Sequence, residues 1–396
     1  MKQNDASALL PAGIADVLPP EAAFEAKQLE HLMDVFESFG YERVKPPLIE
    51  FEETLLSGLG TAVTQDTFRL MDPISQRMLA VRADMTPQMA RIATTRLAGN
   101  PRPLRLSYAG QIIRVRGSQS RPERQFAQVG AELIGVDLPS ADAEVIAMAA
   151  EALTVLGVTG ISVDLGMPTL VPAFCEPLNL SSETKFKLRE ALDRKDAATI
   201  GQLASIISEP AAQSLATMLS ASGNAEETMN ILAKLDLGDA GAREREALSA
   251  VVNALRTRAP ELILTVDPVE NRGFEYHTGV TCSFFSRGIR GELGRGGRYV
   301  ASLDGVAGEP ATGLTLFMDT ILRALPRQQS TKRIYLSADA DASEAARLRR
   351  DGWQVISGLN TVDDNVQEAR RLGCTHLSVD AKITEIETLN DNQDGD

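Results

Sequence analysis

The feature that most constrains the fold is a pair of strand-like segments between residues 108 and 135, which read YAGQIIRVRGSQSRPERQFAQVGAELIG. The two segments flank a polar loop that contains Gly117 and Pro122. Alternation of apolar and polar residues is typical of half-buried strands, and the loop between them predicts a long antiparallel hairpin. We therefore expect an antiparallel sheet that contains this hairpin.

Helical and extended patterns surround the hairpin. The spacing of apolar residues predicts an amphipathic helix over 21–39. Pro46 and Pro47 then predict an extended segment at a sheet edge or at an interface, because proline removes backbone donors. Ser140 is expected to cap a helix that ends at Gly157.

Composition changes along the chain predict its division into segments. Residues 179–262 are rich in Ala, Leu, Glu and Lys at helical spacing, which indicates an all-helical insertion between core segments 1–178 and 263–327. A polar linker, LPRQQSTKR, precedes alternating strand and helix patterns that predict a small α/β unit over 331–382. Residues 383–396 are acidic and are predicted to be a disordered tail.

Cysteine spacing and hydropathy argue against disulfide-stabilised proteins, thiolate metal proteins and membrane-spanning proteins. The three cysteines lie far apart, which argues against a disulfide framework and against a thiolate metal site, so no metal is expected. Cys374 and His376 are close in sequence, and on a short strand such a pair is usually packing. Neither a secretory signal nor an apolar run long enough to cross a membrane is visible. We expect a cytoplasmic protein with no membrane partner.

The hairpin also carries the first indication of a ligand. Four arginines cluster around its loop, which alone fits a solvated basic turn as well as a binding site: Arg114, Arg116, Arg121 and Arg124. Gln128 and Glu132 alternate with the apolar Phe126 and Val129 on the return strand. Polar groups on a core strand need partners, and a bound ligand can supply them.

The ordered motifs resemble those of class II aminoacyl-tRNA synthetases, specifically the histidyl type. The similar segments are LPAGIADVLPPEA, GYERVKPPLIEFEE, the hairpin itself, NRGFEYHTG, and GRGGRY with ATGLTLFMDTIL, and they span about residues 10 to 325. The resemblance implies an α+β fold, with a class II synthetase-like antiparallel sheet flanked by helices. It also implies self-association as a dimer through the proline-containing first motif.

The resemblance further implies a pocket for free histidine. Asp84 and Thr86 would meet its amino group, Arg114 its carboxylate, and Gln128 or Glu132 the amino group or the imidazole. Arg272 and Tyr276 match the histidyl segment, whereas His277 replaces its second tyrosine. The predicted histidine-binding set is Asp84, Thr86, Arg114, Gln128, Glu132, Arg272, Tyr276 and His277. The alternative is a pocket that binds nothing.

The departures from the family lie where ATP would bind. Arg116 stands where the resemblance implies a glutamate that helps to read adenine, while Phe317 and Thr320 stand in place of a glycine and an arginine. Each lost charge-assisted hydrogen bond is worth about 1.5–3 kcal/mol. Amino-acid activation is therefore not expected, and we assign no catalytic residue and no cofactor.

This pattern is similar to that of the ATP phosphoribosyltransferase regulatory subunits, synthetase paralogues of bacterial histidine biosynthesis. The resemblance implies a hetero-octamer with a short catalytic chain, which the regulatory chain activates and makes sensitive to histidine as an allosteric ligand. Residues 331–396 carry 8 basic against 13 acidic side chains, which disfavours tRNA. The alternatives are a divergent histidyl-tRNA synthetase and a synthetase-like binding module with another partner.

Overall fold

A computed structural model describes residues 9–118, 121–270, 276–326 and 332–386, apart from the side chain of Val306. The chain divides into two compact units, Met1–Pro326 and Arg327–Asp396. In chain order, the described strands are β1 Glu42–Arg43, β2 Ile49–Phe51, β3 Arg69–Met71, β4 Met78–Val81, β5 Leu104–Ile113, β6 Gln125–Ile134, β7 Ile161–Gly166, β8 Gly223–Asn224, β9 Ile263–Asp267, β10 His277–Ser286, β11 Gly294–Leu303, β12 Val306–Phe317, β13 Arg333–Leu336, β14 Gln354–Ser357, β15 His376–Val379 and β16 Lys382–Glu385.

Helices cover both units. The α-helices of the described segments are α1 Glu21–Ser38, α2 Glu52–Leu55, α3 Thr86–Thr94, α4 Pro139–Val155, α5 Leu170–Cys175, α6 Ser182–Asp193, α7 Ala197–Gln202, α8 Ala204–Ile207, α9 Glu209–Ser220, α10 Ala225–Leu232, α11 Gly238–Arg258, α12 Met318–Ala324, α13 Ala342–Arg350 and α14 Asn365–Arg371. Two further segments, Gly58–Asp66 and Glu176–Leu178, are 3-10 helices. None of the helices in this part of the chain is long and apolar enough to cross a membrane.

The large sheet of the first unit is built around the predicted hairpin. Its strands follow the order β1-β5-β6-β12-β11-β10-β7-β9-β8. Neighbours pair antiparallel except β1 with β5 and β7 with β9, which are parallel. Helices α1, α4 and α11 pack with the sheet around one core that contains Phe36, Leu153, Val251 and Phe284. The observed architecture is an α+β sheet flanked by helices.

The helical segment after residue 179 shares that core. Leu188, Ile200 and Leu215 are buried together with sheet residues such as Val163. The segment also contributes β8, a two-residue strand that pairs with β9 at the edge of the large sheet. So short a strand carries no periodicity of its own, and the all-helical expectation for 179–262 missed it.

A separate three-stranded sheet, in the order β2-β4-β3, follows the Pro46-Pro47 segment. Several of its apolar residues are exposed: Leu48, Ile49, Leu70, Met71, Ile74 and Met78. We refer to these six residues as the apolar patch.

The second unit is a small α/β fold with the strand order β14-β13-β15-β16. The first three strands run parallel, and β16 returns antiparallel to β15. Three residues of β16 fall inside the segment that the sequence predicts to be a disordered tail. Pairing with β15 and burial of Ile386 against Cys374 order these residues, and residues 387–396 lie outside the described part of the chain.

Candidate functional site

Most of the predicted histidine-binding residues line one cleft at the centre of the large sheet. Asp84 and Thr86 come from the start of α3, Glu132 from β6, and Tyr276 and His277 from the start of β10. The cleft brings together segments almost 200 residues apart in the sequence, because β6 and β10 lie on either side of β12 and β11. Arg272 lies outside the described residues.

Gln128 lies behind the wall of this cleft and is fully buried. Its side-chain oxygen accepts a hydrogen bond from the Met85 backbone N–H (2.9 Å), and its side-chain nitrogen donates to Thr315 Oγ1 (3.1 Å). The protein therefore already supplies a partner to each end of this amide. In the described structure Gln128 supports the cleft, and its direct contact with a ligand stays a prediction.

Glu132 is the most unusual group in the cleft, because its carboxylate is buried without a cation. Tyr299 donates to Oε2 (2.8 Å), while Thr86 and Tyr108 donate to Oε1 (3.0 and 3.3 Å). Within the described residues, no lysine or arginine forms an ion pair with it. Burial raises the pKa of Glu132 to about 8, and nearby Asp84 adds to the rise. A ligand ammonium or imidazolium beside Glu132 would favour release of its proton and pair with the carboxylate that results.

Glycine on the facing strand makes room for this carboxylate. Gly313 of β12 lies directly opposite Glu132 in the sheet register. A Cβ atom at position 313 would overlap the Glu132 carboxylate. Any side chain there would push Glu132 out of its hydroxyl contacts, so glycine at 313 is a requirement of the cleft.

Two adjacent aromatic rings, those of Tyr276 and His277, line the cleft. The rings of Tyr276 and His277 lie 4.0 Å apart, and His277 Nδ1 is 3.1 Å from the Arg298 carbonyl oxygen. Burial lowers the pKa of His277 to about 4, so its imidazole is neutral at physiological pH. The remaining space is about 40 Å³, room for a few water molecules. A free amino acid is larger than this space, so side chains that line the cleft would have to move for it to bind.

Two arginines provide the positive charge of this region. Arg114 follows β5, is half-buried, and donates from Nε to the Ala83 carbonyl (3.3 Å). Arg295 of β11 lines the cleft, and its nearest acidic partner, Glu292, is 3.8 Å away. Arg295 is absent from the predicted histidine-binding set. Its alternation with Gly297 and Tyr299 on one strand could have placed it on the face of the cleft.

Phe317 and Thr320, which stand in place of the glycine and the arginine that the resemblance implies, both contact Arg121. The guanidinium of Arg121 lies 3.8 Å from the Phe317 ring centroid and 4.9 Å from that of Phe126. Its Nε donates to Asp319 (2.9 Å) and its Nη2 to Thr320 Oγ1 (3.3 Å). Phe317 and Thr320, two of the three departures from the synthetase pattern, are thus both in contact with this buried arginine.

Arg116, the third departure, is exposed and lies 3.4 Å from Asp66. Its charge points to solvent rather than to the cleft.

The Cys374 and His376 pair belongs to the second unit, where Cys374 is fully buried and His376 packs edge-on against Trp353 at 4.6 Å. These contacts agree with packing. Within the described residues, no group of three His, Cys, Asp or Glu side chains is arranged to hold a metal ion.

Comparison with known proteins places this architecture among synthetase-like chains. The sequence model of the family described as histidyl-tRNA synthetase matches residues 13–321. Two solved structures superimpose well. An ATP phosphoribosyltransferase regulatory subunit/histidyl-tRNA synthetase from Bacillus halodurans has a TM-score of 0.79 at 24% identity, covering 93% of this chain and 97% of that one. A histidyl-tRNA synthetase from a Nostoc species has a TM-score of 0.77 at 18% identity, covering 94% and 91%. The predicted class II synthetase-like fold is confirmed.

Sequence relatives are nearer still. The ATP phosphoribosyltransferase regulatory subunit of Paramagnetospirillum magneticum is 52% identical over 387 residues, covering 98% of this chain and all of the relative. That of Rhodospirillum centenum is 52% identical and covers 96% of this chain and 97% of the relative. That of Rhodospirillum rubrum is 47% identical, with 94% and 95% covered.

Proposed function

Because the chain belongs to the family of ATP phosphoribosyltransferase regulatory subunits, we propose that it is a non-catalytic subunit that activates a short catalytic chain of this enzyme. In this role it also makes the complex sensitive to inhibition by histidine, the product of the pathway. Such a role belongs in the cytoplasm, where the substrates of the catalytic chain are found.

One observation carries the proposal: the synthetase-like site keeps charged groups in its amino-acid half but not those that the resemblance implies for its ATP half. The half that would hold an amino acid keeps two carboxyl groups, Asp84 and Glu132, close to the cations Arg114 and Arg295. In the half that would hold ATP, Phe317 and Thr320 contact the Arg121 side chain and stand in place of the glycine and the arginine that the resemblance implies. A free amino acid needs an anion for its ammonium and a cation for its carboxylate. The arrangement suits a sensor of histidine better than an enzyme that activates it.

The regulation follows from the charges of the cleft. Histidine would place a cationic group near Glu132 and its carboxylate towards Arg295 and Arg114. Since the cleft offers only about 40 Å³, binding would move the Tyr276 and His277 rings and so favour one conformation of the subunit. A difference in histidine affinity of about 5-fold to 150-fold between two states of the complex, or about 1–3 kcal/mol, is typical of allosteric coupling.

The experiment mixes this chain with the short catalytic chain from the same organism and follows phosphoribosyl-ATP formation with and without histidine. We expect activity that depends on mixing and falls with histidine. Activation without inhibition would contradict the histidine site while leaving the activating role. No activation, together with robust ATP–pyrophosphate exchange in the presence of histidine, would favour a divergent histidyl-tRNA synthetase instead. Absence of both would point to another partner.

A substitution in the cleft separates activation from inhibition. Glu132→Gln keeps the shape of the side chain and removes the charge that would pair with the ligand. We expect activation to persist while the histidine concentration for half-inhibition rises at least tenfold. Glu183→Gln is the matched control, because the Glu183 side chain is exposed on α6, away from the cleft, and forms its ion pair with Lys187. Unchanged inhibition of the Glu132→Gln complex would place histidine elsewhere.

Assembly is the second part of the proposal. The exposed residues of the apolar patch, which include Leu48 and Ile49 of the proline-containing first motif, fit a self-association surface. Dimers formed there would join catalytic chains in a hetero-octamer of four subunits of each kind. Met71→Glu should shift the isolated chain towards monomer in sedimentation, whereas Leu359→Glu at an apolar and more exposed position of the second unit should not.

A further inference from the structure

A second cavity, separate from the cleft, lies between α5 and α6 in the first unit. Its volume is about 770 Å³, within the range of roughly 300–1,000 Å³ typical of small-molecule sites. Most of its wall is apolar, and the principal apolar residues are Val171, Ala173, Cys175, Leu180, Leu188 and Leu192. The cleft beside Glu132, in contrast, offers only about 40 Å³.

The local sequence explains why this space stays open. Helix α5 ends at Cys175 and continues into the 3-10 turn Glu176–Leu178. Asn179 then adopts a left-handed conformation, with φ +49, which reverses the chain before the Ser181 side chain caps α6. Residues Leu188 and Leu192 of α6 are buried in the main core. The turn therefore holds α5 and α6 as two walls of one cavity.

One end of the cavity carries positive charge. Lys185 and Arg189 are one turn apart on α6, and both line it. Among the described residues, no carboxylate lies within ion-pair distance of the Lys185 ammonium group. That charge acts on the Cys175 thiol, where it opposes the burial that raises the pKa of this group to about 11. The other polar lining residues, Glu176 and Asn179, belong to the connecting turn.

We propose that this cavity binds a single-chain aliphatic carboxylic acid, with the hydrocarbon chain against α5 and α6 and the carboxylate at Lys185. The apolar walls remove the chain from water, which favours binding in proportion to the apolar area buried. The Lys185 ammonium group is exposed and lines the cavity, where it can form an ion pair with an acidic head group. The ligand class follows from the apolar walls and from the two cations, Lys185 and Arg189, that line the cavity against one carboxylate, Glu176.

Alkylation of Cys175 in the full-length chain tests the proposal. N-ethylmaleimide labelling is followed by peptide mass spectrometry, with decanoate, kept below its micelle concentration, as the probe. We expect decanoate to slow modification of Cys175 at least fivefold and to leave Cys374, which lies in the other unit, unaffected. Absence of protection at any decanoate concentration up to that limit would overturn the proposal.

Charge variants on α6 make the test specific. Lys185→Glu should raise the decanoate concentration for half-protection about tenfold, whereas protection by decanol, which lacks the carboxylate, should not change. The matched control is Lys187→Glu, because Lys187 is outside the cavity and pairs with Glu183. Equal effects of the two variants would contradict a carboxylate contact. Protection of Cys175 by the short catalytic chain but not by decanoate would make the cavity a docking site for that partner and overturn the proposal.

Discussion

Glu132 illustrates how a single buried carboxyl group connects ligand binding to pH. Its three hydroxyl donors do not offset the loss of water, and its pKa rises to about 8. In the unfolded chain the same group titrates near 4.5. Between these two values the folded protein holds a proton that the unfolded chain has released. The stability that Glu132 contributes is therefore complete below about pH 4.5 and is lost as the pH rises through 8.

The first prediction concerns this pH dependence. From pH 6 to pH 8, the free energy of unfolding of the wild type should fall by about 2 kcal/mol relative to that of Glu132→Gln, since one proton contributes about 1.4 kcal/mol per pH unit. Urea denaturation of both proteins at the two pH values measures the difference. Parallel pH profiles would contradict an uncompensated Glu132 carboxyl group.

His277 does not disturb this comparison. Its pKa is lowered to about 4 by burial, so its own contribution to stability is present above about pH 6.5 and is lost as the pH falls through 4. Both proteins carry His277, and its effect cancels in the difference between them. A cationic ligand beside Glu132 would displace the proton, so histidine should also bind more tightly at pH 8 than at pH 6.

At the scale of elements, Arg121 ties the loop of the β5–β6 hairpin to α12. The ion pair between Arg121 and Asp319 is nearly inaccessible to solvent, with side-chain exposures of 9% and 10%. The guanidinium also lies against the Phe317 ring. Removing one partner of such a pair leaves the other buried and uncompensated, which typically costs about 3–5 kcal/mol.

The second prediction follows from this link. Arg121→Ala should lower the free energy of unfolding by about 3 kcal/mol in urea denaturation, because Asp319 loses its cation. The double substitution Arg121→Ala with Asp319→Asn should recover part of that loss. Arg323→Ala is the control, since its pair with Glu123 is about 40% exposed and 3.6 Å long and should contribute only about 0–1 kcal/mol. Equal losses for Arg121→Ala and Arg323→Ala would contradict the role of burial.

The elements with strong local patterns were predictable from the sequence. The expected 21–39 helix is observed as Glu21–Ser38. Helix α4 begins at Pro139 rather than after a Ser140 cap, because proline suits the first helical position, where no N–H partner is needed. Strands β8 and β16 were not predicted, because β8 depends on pairing with β9 and β16 on pairing with β15 rather than on a local pattern.

The site was predictable only where spacing or resemblance marked it. Asp84, Thr86 and Glu132 were identified and share one cleft. Arg121 was assigned to a basic cluster because its sequence neighbours look like a solvated turn. Its partner Asp319 is 198 positions away. No local pattern reports a contact of that range, and the same limit applies to the hydroxyls of Tyr108 and Tyr299 on Glu132.

At the scale of the whole molecule, the chain holds separate cores. The two clusters of the first unit contain no residue of the second, and those around Tyr335 and Ile334 contain no residue of the first. The chain has a single tryptophan, Trp353, which packs in the second unit against the cluster of Leu348. Its fluorescence therefore reports the small unit, whereas most helices, and so most of the far-ultraviolet circular dichroism, belong to the large one.

The third prediction uses these two probes. Leu348 is fully buried in the small unit, and Leu348→Ala removes methyl groups that typically contribute about 2–5 kcal/mol. Small domains are marginally stable, so the fluorescence transition in urea should move to lower concentration while the dichroism transition stays. Leu215→Ala, equally buried in the large unit, should move the dichroism transition alone. If either substitution shifted both transitions together, the two cores would unfold as one cooperative body, and the division at Pro326 would have no thermodynamic meaning.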